Sequence, residues 1–180
     1  CRVSLMIAFV ATLIASTVGV IVGLLAGFLG GAVDKVLSFF IDMFLTIPFL
    51  LAALTLAPIL NDRFNTSPDY ATIQKFSLVC VLAFFGWMGT ARLIRGEVLA
   101  LREREFVQAA RVMGMPTSRV LFKELLPNLA APIIVSVSLA LPAFVAAEAG
   151  LAYLGLGVSG LPSWGRTIDQ AVPFFSTYPL

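Results

Sequence analysis

The sequence contains no histidine and only two cysteines, Cys1 and Cys80. Without histidine, most zinc sites and the Ser-His and Cys-His catalytic pairs are excluded. Cys80 sits inside an apolar run, so no disulfide is expected, and nothing in the chain asks for a cofactor. Charge is scarce too: 12% of the 180 residues are Asp, Glu, Lys or Arg, and the formal net charge is only +2.

What fills the chain instead is oil. Hydrophobic residues make up 59%, and the mean hydropathy is +0.99. A chain of this length cannot hide that much apolar surface in one water-soluble core, so lipid is the expected solvent for most of it. A bilayer core needs about 20 apolar residues of helix. Four runs qualify: roughly Leu5 to Leu29, Val36 to Leu60, Phe76 to Ile94, and Leu129 to Leu151. The fold class read from this is all-α, a polytopic transmembrane helical bundle treated as a single domain over residues 1–180. Asn61 to Thr72 is a short polar loop with turn residues. Residues 155–179 are rich in Gly, Pro, Ser and aromatics. They read as an interfacial or re-entrant segment, with Trp164 and Tyr178 as interface anchors. Because the chain opens on Cys1 and stops at Leu180, it is read as a piece of a longer protein.

The scarce charge collects in one place. Arg92, Arg95, Arg102, Arg104, Arg111, Arg119 and Lys123 are seven of the 12 basic residues. Basic residues beside membrane spans mark the cytoplasmic side, so residues 95–127 are expected to form a cytoplasmic loop. That places Asn61–Thr72, Arg2 and the 155–179 segment outside, and the Gly30–Lys35 turn inside. Glu97, Glu103, Glu105 and Glu124 reduce the net charge of the island to +3. Nucleic acid or lipid headgroups would call for a more one-sidedly basic surface. Mixed charge with interleaved apolar residues suits contact with another protein.

Several residues inside the spans stand out. Gly19, Gly23, Gly27 and Gly31 recur every four residues, which places them on one stripe of a helix. Such a stripe lets a neighbouring helix approach closely, and a pore lining is the alternative reading. Asp42 is costly in lipid and must face protein or water, on a translocation path, in a structural ion pair or near the headgroups. Pro48 removes a backbone donor and points to a kink. Glu148 falls near the outer end of the last span and reads as structural or wetted rather than as a proton carrier.

Within the island, Glu105 to Met113 reads as a helix that Gly114 can end in the left-handed conformation. Ala109 and Ala110 stand side by side where close packing is needed. Met115 and Pro116 make a break, and Thr117 or Ser118 can cap a short helix over Arg119 to Leu126. Pro127 suits the first turn of the next span. Helix, sharp turn, short helix could insert as a knob into a groove on a cytoplasmic partner. A membrane-surface helix with no partner fits the same residues equally well.

The stretch FVQAARVMGMPTSRVLFKELLPN, residues 106–128, resembles the cytoplasmic loop of permease subunits of ABC importers. Gln108-Ala109-Ala110 stands where that family carries Glu-Ala-Ala, with Gly114 and then Leu126-Pro127 following. Gln108 replaces the usual Glu. Glu148-Ala149-Gly150-Leu151, Leu154-Gly155-Leu156-Gly157 and Pro162-Ser163-Trp164-Gly165 resemble the dipeptide, oligopeptide and nickel branch, with Tyr153 where Phe is common. Gly30-Gly31, Val33-Asp34 and the run from Asp42 to Pro48 fit the same pattern.

The resemblance implies a six-span permease, of which this chain would lack the first and last spans. It implies four kinds of surroundings: a homologous second permease, two cytoplasmic ATPases, an external substrate-binding protein and the lipid bilayer of a bacterial or archaeal cell. Nucleic acid is not among them. It also implies that the ATPase contact is made by Gln108, Ala109, Ala110, Gly114 and the stretch Thr117, Ser118, Arg119, Val120, Leu121, Phe122 and Lys123. The chain itself has no glycine-rich lysine loop for phosphates, so it should neither bind ATP nor act as an enzyme. The cargo implied is a di- or oligopeptide, with nickel or another small solute as the alternative. Two rivals remain. A stand-alone carrier or channel would need no ATPase. A membrane aspartyl hydrolase would have to use Asp34 and Asp42, whose eight-residue spacing corresponds to about 12 Å of helix rise.

Overall fold

A computed structural model describes residues 2–62 and 69–177. Cys1, Arg63 and Tyr178 lie outside the described residues, as do residues 63–68 of the 61–72 loop and the end of the 155–179 segment. Among the described residues every regular element is helical. The order is α1 (Arg2–Leu29), α2 (Gly31–Leu45), α3 (Phe49–Asp62), α4 (Tyr70–Leu101), α5 (Glu105–Val112) and α6 (Thr117–Arg119). The winding then widens to π over Val120–Leu125 and returns to α in α7 (Leu126–Asn128). α8 (Ala130–Leu151) runs into a second π turn, Ala152–Leu156, and α9 (Trp164–Thr177) ends the description.

Among the described residues three helices are long and apolar enough to cross a bilayer: α1, α4, and α8 with its π turn. α2 and α3 reach that length only as a broken pair. The apolar run from Val36 to Leu60 is therefore two helices, parted at residues 46–48. The cause is local. Pro48 has no N–H to donate and disfavours helical geometry at Ile47. The Thr46 hydroxyl turns back onto the Met43 carbonyl at 2.6 Å. α4 extends past both ends of its apolar stretch, so Arg95 and Glu97 are helical and not loop.

The chain, read above as one domain, clusters into two compact units. The first comprises Cys1–Leu13, Ile47–Phe85 and Ala140–Leu180. Its core joins Ile7 and Ala11 of α1, Ala53 of α3, Leu78 and Leu82 of α4, Leu151 of α8, and Val158. The loop before α9 is tied down by polar contacts. The Ser159 N–H donates to Gln74 Oε1 at 2.7 Å, and Arg166 Nη1 donates to the Val158 carbonyl at 3.2 Å. Ser163 Oγ accepts from the Arg166 N–H at 3.3 Å, satisfying one free donor at the start of α9.

The second unit comprises Ile14–Thr46 and Gly86–Leu139. Here α1 packs on α4 through glycine. A Cβ built on Gly19 would stand 2.7 Å from Thr90 Cβ, and one on Gly27 would stand 2.7 Å from Val98 Cβ. One on Gly23 would stand 2.7 Å from the Ala91 carbonyl oxygen. Backbone approach this close is the usual way helices associate where lipid removes the hydrophobic driving force. Gly31 is a correction to the four-residue stripe: a Cβ there meets nothing within 4 Å. The helix has already ended, because Gly30 and Gly31 both take positive φ, 65° and 58°. Two left-handed residues in succession turn the chain from α1 into α2, and side chains there would be strained.

Candidate functional site

The charged island folds into a helix–turn–helix module on the second unit. α5 carries Glu105 in its first turn and Arg111 in its last, which complements the helix dipole. Val107 and Ala110, three residues apart, face inward and are buried. They join Leu24 and Phe28 of α1, Ile94 and Val98 of α4, Val120 and Leu125 of the π turn, and Leu129 in one core. The module is therefore seated on the ends of α1 and α4 by apolar contacts.

The turn after α5 follows from one glycine. Gly114 takes φ 74°. Its N–H bonds to the Arg111 carbonyl at 3.0 Å, and the Met115 N–H bonds to the Ala110 carbonyl at 3.1 Å. This is the paired closure of a Schellman motif, in which Met115 packs back onto the core. An added Cβ at Gly114 meets nothing within 4 Å, so the demand is for the left-handed conformation and not for space. The next helix is capped otherwise than the residues indicate. Pro116, extended at φ −64° and ψ 146°, is its N-cap, and Thr117 and Ser118 are already helical without a side-chain cap. The Arg119 and Val120 N–H groups bond to the Pro116 carbonyl at 2.9 and 3.1 Å. Pro127 falls in α7 and not in α8, which starts at Ala130.

The residues read as partner contacts divide by exposure. Gln108, Ala109, Gly114, Thr117, Ser118, Arg119, Phe122 and Lys123 are exposed, and Leu121 is half-buried. Ala110 and Val120 are buried in the module's own core and cannot touch a partner. The two alanines differ because adjacent helical residues point about 100° apart. Gln108 Nε2 donates to the Glu103 carbonyl at 3.1 Å, a local bond that a glutamate could not donate. Two large apolar side chains that were not singled out in the sequence crown the turn, Val112 at 88% exposed and Met113 at 74%, and Phe122, named among the contacts, joins them at 67% in the π turn.

Arginines anchor the module's base. Arg102 Nη1 donates to the Gly27 carbonyl at 3.2 Å, satisfying one free carbonyl at the end of α1. The Arg111 guanidinium lies 4.6 Å from the centroid of the Phe28 ring. Arg95 of α4 holds Asp34 of α2 through two bonds, Nε–Oδ1 at 2.5 Å and Nη2–Oδ2 at 2.8 Å. Ser38 Oγ donates to the same carboxylate at 3.1 Å. In sequence these arginines register only as topological charge. Their partners lie far away along the chain, and only an acidic residue in an apolar run hints that one is needed.

Asp42 pairs with Arg92 at 3.7 Å, with both side chains well exposed. Asp34 and Asp42 thus each face a different arginine, an arrangement unlike a proton-sharing dyad. Pro48 stands at the break after α2. Glu148, read above as structural or wetted, is fully buried in the first unit, and neither carboxylate oxygen has a hydrogen-bond partner. Among the described residues no three His, Cys, Asp or Glu side chains stand together as metal ligands would.

Residues 19–178 match the family described as "Binding-protein-dependent transport system inner membrane component". The oligopeptide transport system permease protein OppC of Bacillus subtilis (strain 168) is 34% identical over 179 residues, 99% of this chain and 55% of that protein. The dipeptide transport system permease protein DppC of the same organism is 34% identical over 173 residues, 96% of this chain and 51% of that protein. OppC of Lactococcus lactis subsp. cremoris (strain SK11) is 33% identical over 171 residues, 94% of this chain and 55% of that protein. The chain spans about half the length of the curated relatives it matches.

Proposed function

We infer, from a chain that belongs to the family of inner-membrane components of binding-protein-dependent transport systems, a permease subunit that couples ATP hydrolysis on partner subunits to peptide uptake. The observation that carries the reading is the α5–Gly114–α6 module. It has a firmly packed base and an unpartnered apolar crown of Val112, Met113 and Phe122. A rigid base transmits movement, and an exposed apolar crown beside basic Arg119 and Lys123 suits a groove on a cytoplasmic protein. That partner is an ATPase subunit, present twice, opposite this chain and a homologous second permease. An extracytoplasmic binding protein supplies the cargo. Peptide cargo is supported by the oligopeptide and dipeptide systems after which the relatives are named.

Residues 95–127 then face the cytoplasm of a bacterial-type cell, and the chain crosses the cell membrane several times. ATP-driven closure of the two ATPases would bias the permease pair between two openings through this module. Gly19, Gly23 and Gly27 serve as the packing contact that keeps α1 on α4.

Gly114→Val tests the coupling. A β-branched residue is strained at φ 74° and would reorient the turn. In vesicles holding the assembled transporter, uptake is expected to fall about tenfold or more while ATP hydrolysis continues. Normal uptake by the assembled variant would contradict the assignment.

A further inference from the structure

The pair between Arg92 and Asp42 is built unlike the other arginine contacts of the second unit. Only one nitrogen approaches, at 3.7 Å, and the side chains are 67% and 60% exposed. Yet Arg92 lies in α4, two residues before its apolar run ends at Ile94, and Asp42 lies in α2, which reaches spanning length only together with α3. A charged side chain that faces hydrocarbon is expensive, so charges inside spans turn toward water or toward other polar groups. Whatever covers this face is therefore polar.

The backbone around the pair agrees. On α4, Gly89 lies three residues before Arg92 and Gly96 four after, which puts all three on one side of the helix. A Cβ on either glycine meets nothing within 4 Å. This contrasts with Gly19, Gly23 and Gly27, whose missing side chains are matched by close atoms of a neighbour. The face of α4 beside Arg92 is thus open at Gly89 and Gly96, with Met88 and Arg95 as its other helical neighbours. Across it, Asp42 occupies the last turn of α2, just before helical order stops at the exposed Thr46. Non-helical backbone at membrane depth occurs where it is covered by protein or lines water. The two-pronged Asp34–Arg95 contact holds α2 against α4 and so keeps Asp42 opposite Arg92.

We propose that Arg92 and Asp42 line the route of the transported peptide, Arg92 receiving its carboxylate and Asp42 its ammonium group. A zwitterionic peptide carries both charges, and a loose pair across an open face can part to exchange each partner for one end of it. A guanidinium offers a fork of donors matched to a carboxylate, and a carboxylate accepts from an ammonium. The assignment rests on the permease reading above and adds the chemistry of the route.

The test uses the full-length transporter, assembled with its ATPases and binding protein in vesicles, in a background with Cys1 and Cys80 replaced by serine. Arg92→Cys and Asp42→Cys are probed with a membrane-impermeant charged methanethiosulfonate, with and without saturating Ala-Ala. Labelling is expected at both positions and is expected to slow when Ala-Ala is being transported. In parallel, Arg92→Gln and Asp42→Asn are expected to lower maximal Ala-Ala uptake about tenfold, the scale of one lost charged contact. The half-saturating concentration should hold, because the binding protein sets it. The exchanged pair Asp42→Arg with Arg92→Asp should not restore uptake. A structural ion pair would be restored by that exchange, so recovery of uptake overturns the proposal. Failure of either cysteine to react, or reaction indifferent to Ala-Ala, overturns it as well. If the unaltered transporter shows no ATP-driven Ala-Ala uptake, the permease reading itself fails, an outcome the variants cannot mimic.

Discussion

Two arginine–carboxylate pairs join the same two helices, and they are built for different purposes. Asp34 and Arg95 meet through two short bonds, with Ser38 as a third partner and less than a third of either side chain exposed. Asp42 and Arg92 touch once, at 3.7 Å, with most of each side chain open. Burial explains the divergence. A partly buried charge must have its hydrogen-bonding capacity filled, or the desolvation cost is not met. An exposed charge finds other partners and gains little from any single one. The first pair fixes α2 on α4. The second is free to be exchanged.

The contrast breaks most visibly at Asp34. Asp34→Ala leaves Arg95 partly buried without its partner, which should cost about 3 kcal/mol. The measurement is thermal unfolding of the detergent-solubilised assembly, where a large drop in Tm is expected. Arg95→Lys probes the same pair more finely. A lysine keeps the charge and loses the two-pronged geometry, so a loss of about 1–2 kcal/mol is expected. A loss as large as that of Asp34→Ala would mean that the fork matters more than the charge. Asp42→Asn should change stability least, by no more than about 0.5 kcal/mol, because exposed pairs contribute little. Its effect belongs in transport and not in Tm. Equal shifts for Asp34→Ala and Asp42→Asn would erase the distinction between the pairs.

The sequence shows some of this directly and hides the rest for physical reasons. Helical class follows from long apolar runs in a chain with little charge, and all described regular structure is helical. The stop after α5 is legible because glycine is the residue that takes the left-handed cap at little cost. Periodicity misleads at Gly31, where the four-residue spacing runs on past a helix that has already turned at Gly30. It also treats Ala109 and Ala110 alike, although only Ala110 is buried. The π winding of Val120–Leu125 leaves no mark in residue type. The Asp34–Arg95 pair joins residues 61 apart in the chain, and no local pattern carries that information. Nor does the position of Glu148 near a span end reveal that it is fully buried, with no hydrogen-bond partner for either oxygen.

Docking of the α5–α6 crown on a cytoplasmic ATPase is open to a direct test by a photoreactive phenylalanine analogue placed at Phe122 of the full-length protein in its native membrane. Irradiation followed by mass spectrometry should join Phe122 to an ATPase chain, with a yield that changes when ATP is added. Cross-links to lipid or to this chain alone would rule out ATPase docking and leave the module as a surface helix.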